Sequence, residues 1–112
     1  MSFRFSRQVR VTNAQDYRAI FQKGKRLRGQ YWEVVAKPGE GQASRLGMAI
    51  SKKVCRLSSH RNRLKRVAKE VFRHEQGLLK NWEFVVMARA AKPKTPRALT
   101  KELKSLLHEI TN

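Results

Sequence analysis

Residues 60 to 75, HRNRLKRVAKEVFRHE, constrain the fold more than any other segment of the chain. Apolar residues recur in it every three or four positions, as in an amphipathic α-helix, where successive residues are about 100° apart. The apolar arc contains Leu64, Val67, Ala68, Val71 and Phe72. The opposite arc contains Arg61, Asn62, Lys65, Arg66, Lys69 and Arg73, with Asn62 in its middle and Arg63 at its flank. The pattern predicts a helix from about Ser58 or Ser59 to Glu75 that packs its apolar arc on a sheet.

The polar side of this helix is almost purely cationic. From Lys52 to Arg73 the chain has nine Lys or Arg and a single acid, Glu70. Charged helix faces in solvent usually mix signs, because like charges at i, i+4 repel each other. The whole chain shows the same imbalance, with 26 Lys and Arg, 8 Asp and Glu, and a formal charge of +18 over 112 residues. A bound polyanion would relieve this repulsion, so nucleic acid is the first candidate partner and an anionic membrane surface the second.

Capping residues and apolar spacing predict two further helices. Asn13 can cap the first, Asp16 lies near the positive end of its dipole, and Gly24 can end it. Thr95 can cap the last, with Pro96 at its first position. The apolar stripe of that last helix consists of Leu99, Leu103, Leu106, Leu107 and Ile110.

Three segments rich in Val, Ile and aromatic residues, 31–37, 45–52 and 82–89, predict strands. The turn sequence PGEGQ, residues 38–42, predicts that the first two strands pair as an antiparallel hairpin. The order helix, strand, strand, helix, strand, helix indicates one domain over residues 1–112, with a two-layer α+β sandwich as its fold.

The strand at 45–52 has one bulky and one flat face. Leu46, Met48 and Ile50 alternate with small residues, which are Gly47, Ala49 and Ser51. Because side chains alternate across a strand, the bulky face should join the core. The flat face is one over which a ligand could lie.

The run RNRLKRVAKEVFR, residues 61–73, resembles the signature of the bacterial ribonuclease P protein subunit, whose core reads Arg-Asn-Arg, any residue, Lys-Arg. DYRAIF, residues 16–21, looks like that family's first helix with its two aromatics. RLGMAISKK, residues 45–53, looks like its glycine-containing strand ending in a Lys pair, and FVVMAR, residues 84–89, looks like the strand after the signature helix. The likeness covers nearly the whole chain.

The resemblance implies the family's α/β sandwich, a ribosomal-protein-like fold whose mixed sheet contains a left-handed βαβ crossover, against the usual right-handed rule. It also implies a ribonuclease P subunit that binds a large catalytic RNA and the 5′ leader of precursor tRNA. That RNA, with Mg²⁺ bound mainly by the RNA itself, would remove the leader and give the mature tRNA 5′ end. The protein alone would be inactive, and no catalytic residue or metal ligand is assigned to it.

The family's roles carry over to the positions that match. Arg61, Asn62, Arg63, Lys65 and Arg66 match the signature and would contact the catalytic RNA, and Lys69 and Arg73 extend the same face. Tyr17 and Phe21 match the aromatics that line the leader cleft, with Tyr in place of the commoner Phe, and Lys52 and Lys53 match the basic pair after the cleft strand. Two departures are Lys69, where many members have Arg, and residues 54–60, which look like a longer, basic variant of the loop.

Two features have alternative interpretations from the residues themselves. Aromatics at i, i+4 such as Tyr17 and Phe21 usually belong to a core, whereas in a cleft they would stack on unpaired bases. Tyr31 and Trp32 should point to opposite faces of their strand, and either of them could face the cleft.

Other functions fit the sequence less well. A structural protein of the ribosome fits the composition but not the long signature around Asn62. A helix-turn-helix DNA binder and a membrane-surface helix fit poorly, because the basic helix is followed by a strand and its apolar arc is needed by the sheet. The single Cys55 and the lack of a signal peptide or membrane span predict a soluble cytoplasmic protein. The three histidines have no zinc-site spacing and should face solvent or RNA.

Overall fold

The computed structural model describes residues 14–39, 44–75, 81–89 and 95–111. Its elements in chain order are α1 (Ala14–Lys23), β1 (Lys25–Arg28), β2 (Trp32–Pro38), β3 (Arg45–Ala49), α2 (Ser58–Glu75), β4 (Trp82–Ala88) and α3 (Pro96–Ile110). Every helix and strand predicted from the sequence is present to within a few residues, and β1 is additional. The predicted cap Asn13, the turn residues 40–42 and the predicted helix end Gly77 lie outside the described residues.

The strands form one mixed sheet in the order β1-β2-β4-β3. β2 pairs antiparallel with both β1 and β4, whereas β3 pairs parallel with β4. The predicted hairpin of β2 and β3 is wrong, because β4 lies between them. A turn sequence indicates that two consecutive strands run in opposite directions, but it does not determine whether they are neighbours in the sheet. Here the later strand β4 lies between β2 and β3.

The segment β3–α2–β4 is the βαβ unit that the family resemblance implies, since it joins two neighbouring parallel strands through a helix. The α+β class and the mixed sheet are thereby confirmed. The left-handed sense of the crossover stays a prediction.

The main core lies between the sheet and the helices α2 and α3. The apolar arc of α2 is buried as predicted, with Leu64, Ala68, Val71 and Phe72 at most 5% exposed and Val67 at the edge. Phe72 meets Phe84 of β4 edge to face, with ring centroids 6.2 Å apart. All five residues of the α3 stripe are buried here too. Because each large side chain contributes roughly 1.5–3 kcal/mol when fully buried, this core fixes α2 with its cationic arc pointing away from the sheet.

The helix α1 covers part of the opposite face of the sheet. Ile20 packs there against Val35 of β2 and Val85 of β4, with Tyr17 and Met87 at the margin. The central strands are therefore buried on both faces, which explains their continuous apolar runs VVA and FVV. Gly24 follows α1 as predicted, and its N–H donates to the carbonyl of Ile20 at 2.8 Å.

The edge strand β1 escaped prediction because KRLR has a single apolar residue among three cations. Leu27 packs against the main core, and β1 pairs with β2 from Lys25 opposite Ala36 to Arg28 opposite Glu33. Charges are typical of edge strands, because they oppose pairing with another chain.

A carboxylate of α3 holds the turn between β1 and β2. Glu102 accepts hydrogen bonds from the backbone N–H groups of Gln30, Tyr31 and Trp32 at 2.5–2.9 Å. The indole Nε1 of Trp32 donates to the carbonyl of Leu99 at 3.0 Å. Trp32 is fully buried in the main core and Tyr31 packs against the same core. The expected division of these two aromatics between opposite faces is not observed, because the strand begins only at Trp32.

Candidate nucleic-acid interface

The cationic face of α2 presents its predicted residues at different depths. Asn62, Arg63 and Arg66 are exposed, whereas Arg61, Lys65, Lys69 and Arg73 are half-buried. The exposed residues lie in the first half of the helix, close to the loop that follows β3. This half is therefore the part of the face best placed to meet phosphates.

Arg61 has an intramolecular role that the sequence did not indicate. Its Nη1 donates to the carbonyl oxygens of Cys55 and Arg56, both at 2.9 Å. The guanidinium thus fastens the loop before α2 to the first turn of the helix. Arg73, at the other end of the face, pairs with Glu70 at 2.7 Å.

The loop from β3 to α2 begins with a tight turn that exposes two cations. The Ser51 hydroxyl accepts from the N–H of Lys53 at 3.0 Å, and the Ser51 carbonyl accepts from the N–H of Cys55 at 3.0 Å. Lys52 and Lys53 are exposed on this turn, while Cys55 is buried in the main core. The Lys pair therefore lies between the end of β3 and the cationic face of α2.

On the other face of the sheet, the ring of Tyr17 lies over the strand β3. Its hydroxyl accepts from the N–H of Met48 at 3.1 Å and lies 3.4 Å from the Met48 carbonyl. A Cβ on Gly47 would come within 2.8–2.9 Å of the Tyr17 ring and hydroxyl, so only glycine fits beneath it. The flat face of β3 predicted from the sequence thus receives an aromatic ring from α1.

Phe21 lies one helical turn after Tyr17 and on the same side of α1. It is 37% exposed, which is unusual for an aromatic residue beside a core. Tyr17 is half-buried by its contact with β3. The two aromatics form a wall that is packed at one end and open at the other.

The strand register arranges the residues on the α1 face of the sheet in three rows. The ion-pair row is Arg45–Glu83–Lys37, the covered row is Gly47–Val85–Val35–Arg26, and the open row is Ala49–Met87–Glu33–Arg28. Side chains two apart along a strand share a face, so all three rows belong to the face that α1 covers.

The helix α1 closes the end of this face formed by the ion-pair row. Arg45 donates from Nη2 to Asp16 at 2.8 Å and from Nη1 to Glu83 at 2.7 Å, and Lys37 pairs with Glu83 at 2.7 Å. Desolvation lowers the pKa of Arg45, but hydrogen bonds and charge from Asp16 and Glu83 outweigh it and raise that pKa above its usual value. Arg45 therefore stays charged and ties α1 to the sheet.

The open row forms the floor of a cleft beside α1. Ala49 and Arg28 at its two ends are exposed, and Met87 and Glu33 between them are half-buried. Adjacent strands are about 4.8 Å apart, so the row spans roughly 14 Å, enough for a single nucleic-acid strand to cross. The open cleft is this floor with its wall of Tyr17 and Phe21, and Lys52 and Lys53 follow at the β3 side.

The structure thus places the predicted residues on two surfaces. The predicted residues of α2 lie on the side of the sheet that carries the main core, and the aromatics Tyr17 and Phe21 of α1 lie on the opposite side. The turn with Lys52 and Lys53 lies between these two surfaces. Sequence reasoning missed Glu33 and Arg28 on the cleft floor and Arg26 in the neighbouring row, because β1 was not predicted and its register with β2 was therefore unknown. His108, predicted to face solvent or RNA, is half-buried, and its Nε2 lies 2.8 Å from the carboxylate of Glu75.

The carboxylates of the described residues do not form a metal site. No group of three or more His, Cys, Asp or Glu in those ranges is arranged to hold an ion. The acids are engaged with cations or backbone N–H groups instead, as Asp16, Glu33, Glu83 and Glu102 show. Within the same part of the chain, no helix has the length and apolar character needed to span a membrane.

Comparison with known proteins identifies one family. Residues 5–111 match the family model described as Ribonuclease P. The ribonuclease P protein component of Vesicomyosocius okutanii subsp. Calyptogena okutanii is 47% identical over 110 residues, which is 98% of this chain and 97% of that protein. The RNase P protein of Staphylococcus aureus superposes with a TM-score of 0.83 at 26% identity, covering 93% of this chain and 98% of that one. The RNase P protein of Thermotoga maritima gives a TM-score of 0.80 at 29% identity, covering 90% and 96%.

Proposed function

The chain belongs to the ribonuclease P protein family, and from this premise we propose that its α2 face binds the catalytic RNA while its open cleft holds the 5′ leader of precursor tRNA. As a member it is the protein component of the ribonucleoprotein that processes tRNA 5′ ends, so it works with an RNA partner in an endoribonuclease complex. The observation that carries the proposal is the placement of the two surfaces on opposite sides of one sheet. Two RNA segments can therefore bind at the same time.

The α2 face suits a folded RNA with closely spaced phosphates. Arg63 and Arg66 are exposed and can make bidentate contacts to phosphate or guanine, and the exposed amide of Asn62 on the same half of the helix can reach a base edge or a ribose hydroxyl. Lys65 and Lys69 add charge without directional preference. Phosphate contacts alone bind indiscriminately, so the amide in the middle of the cationic arc is the group suited to select a site.

The open cleft suits an unpaired strand. Phe21 offers an exposed ring on which a base can stack, for a gain of roughly 1–3 kcal/mol per base. Ala49 keeps the floor of the cleft low, and the exposed Lys52 and Lys53 can neutralise the strand's phosphates. The family's leader-binding role is therefore supported by an aromatic wall, a low floor and flanking cations.

We assign the bond cleavage and its Mg²⁺ to the RNA. No group of the described carboxylates is arranged to hold a metal ion, and most of these carboxylates pair with arginine, lysine, histidine or backbone donors. The protein's contribution is positional and electrostatic. A formal charge of +18 offsets phosphate repulsion where the leader meets the catalytic RNA. The cytoplasmic location and the single RNA-binding domain over residues 1–112 stay predictions.

Reconstitution tests this division of labour. The full chain, the catalytic RNA encoded by the same organism and precursor tRNA are combined at low magnesium, and cleavage is mapped at the tRNA 5′ end. We expect cleavage from the assembled particle and none from the protein alone. A matched pair of substrates, with and without the leader, should differ in affinity only when the protein is present. Cleavage by the RNA-free protein, or equal gains for both substrates on adding the protein, would overturn the proposal.

A further inference from the structure

We propose that Glu33, held between Arg26 and Arg28 in the open cleft, reads a base of the bound leader and favours guanine. This inference rests on the proposed function of the cleft and adds a specificity-determining residue to it. It concerns three residues whose side chains meet only because β1 pairs with β2.

The first observation is a carboxylate on the floor of a cleft proposed for a polyanion. Glu33 lies in the open row between Met87 and Arg28, on the sheet face that Tyr17 covers. A carboxylate there repels phosphates, so it does not help to hold the backbone of the leader. A carboxylate does accept hydrogen bonds, and the donors of a nucleic acid that it can reach are the amino and imino groups of bases.

The second observation is that two guanidinium groups orient this carboxylate. Arg26 Nη1 lies 3.1 Å from Oε2 of Glu33, and Arg28 Nε lies 3.0 Å from Oε1. The Glu33 side chain is 14% exposed, whereas the side chains of Arg26 and Arg28 are 48% and 62% exposed. Each oxygen thus has one arginine partner and retains acceptor capacity, since a carboxylate has about four lone-pair sites.

The third observation is the charge balance of the cluster. Two arginines around one glutamate leave a net positive charge, so the leader's backbone is attracted while the acceptor pair remains. Ion pairs at the surface contribute little to stability. The two ion pairs of Glu33 would therefore contribute little if their role were only structural, and such a role would not require Glu33 to lie on the open row. The cluster therefore combines a carboxylate that can accept hydrogen bonds from a base with two arginines that can bind phosphates.

The geometry selects among the bases of a single strand, whose Watson–Crick edges are accessible. Guanine alone presents two adjacent donors on that edge, N1–H and the N2 amino group, which match the two oxygens of a carboxylate. Adenine and cytosine present one amino group each. Uracil places carbonyl oxygens on both sides of its one N–H, which a carboxylate repels. We therefore expect the order guanine, then adenine or cytosine, then uracil at the leader position above Glu33.

The test uses the reconstituted holoenzyme and precursor tRNAs that differ by one leader base at a time. The wild-type protein should bind the guanine substrate roughly fivefold or more tightly than the uracil substrate at a single leader position. Glu33→Gln replaces one acceptor by an amide donor, and one acceptor beside one donor matches the Watson–Crick edge of adenine, cytosine, guanine and uracil alike. This variant should therefore lose the preference for guanine while it still binds leader-bearing precursor more tightly than mature tRNA, a combination that a general loss of stability does not produce.

Glu83→Gln is the matched control. Glu83 is also a half-buried carboxylate with two cationic partners, Lys37 and Arg45, but it lies in the ion-pair row at the closed end of the face. The holoenzyme with the Glu83→Gln variant should show the same leader-base preference as the wild-type holoenzyme. Folding of each variant is verified by circular dichroism and by unchanged affinity for the catalytic RNA.

The outcomes separate this inference from the function on which it rests. A leader-dependent gain in affinity without any base preference, or with the same preference in Glu33→Gln, refutes the reading role and leaves the cleft proposal standing. Absence of any leader-dependent gain refutes the cleft proposal itself. Loss of the guanine preference in Glu33→Gln, together with an unchanged preference in Glu83→Gln, supports the inference.

Discussion

Replacing Arg63 and Arg66 together by Ala should reduce the salt dependence of catalytic-RNA binding. Both arginines are exposed on the first half of α2, whereas Arg61 and Arg73 are engaged with loop carbonyls and with Glu70. Each lost phosphate contact lowers the slope of log K against log salt by about 0.7–0.9, so two contacts lower it by about 1.4–1.8. Between about 50 mM and about 200 mM salt, the wild-type affinity should therefore fall roughly 7- to 12-fold further than that of the variant.

Filter binding or fluorescence anisotropy at several salt concentrations measures this slope. Alanine is the best helix former, so the free energy of unfolding should stay within about 0.5 kcal/mol of the wild type. The control is the double variant Arg97→Ala and Lys101→Ala, which removes the same charge from exposed positions on α3. A slope that changes equally in both double variants would show that net charge matters and the α2 face does not. An unchanged slope in the α2 variant would contradict its placement against the RNA.

Three further changes test individual contacts. Phe21→Ala should weaken binding of leader-bearing precursor by roughly 1–3 kcal/mol and leave mature tRNA unaffected, since the ring stacks on a leader base; equal losses in a titration of both would indicate a packing role. Gly47→Ala should lower the free energy of unfolding by about 1–3 kcal/mol, because the added Cβ meets the Tyr17 ring, whereas Ala49→Ser in the same strand should change it by less than about 0.5 kcal/mol. Similar melting curves for the two would refute the contact. Arg61→Ala should speed amide hydrogen exchange at residues 55–57 and cost about 1 kcal/mol, unlike Arg63→Ala, because only Arg61 binds the loop carbonyls; equal exchange in both variants would contradict that role.

The sequence predicted the α2 helix and its two faces because local spacing alone determines them. Leu64, Ala68 and Phe72 are buried, and Asn62 is exposed, as the helical wheel requires. The flat face of β3 was predicted for the same reason, since alternation along a strand is local.

The pairing of the strands could not be predicted in the same way. The insertion of β4 between β2 and β3 depends on contacts between residues far apart in the chain, and turn chemistry carries no information about them. The edge strand β1 has only Leu27 to mark it, so the cluster of Glu33 with Arg26 and Arg28 became visible only with the register.

Arg61 shows a second limit of sequence interpretation. It belongs to the signature run and was predicted to contact RNA, yet its guanidinium bonds two carbonyls of the preceding loop. Residue type and spacing indicate that a cation is needed at this position, but the partner depends on how the loop folds back. The RNA-binding roles of the signature residues stay predictions, and the structure gives Arg61 an additional task.

Site-specific photo-cross-linking of the assembled particle tests the central claim most directly. A photoreactive side chain is placed at position 62 on the α2 face or at position 49 on the floor of the open cleft, and the particle is bound to leader-bearing precursor tRNA. We expect position 62 to cross-link to the catalytic RNA and position 49 to cross-link to the leader. Cross-links from both positions to the same RNA segment, or none to RNA from position 62, would contradict it.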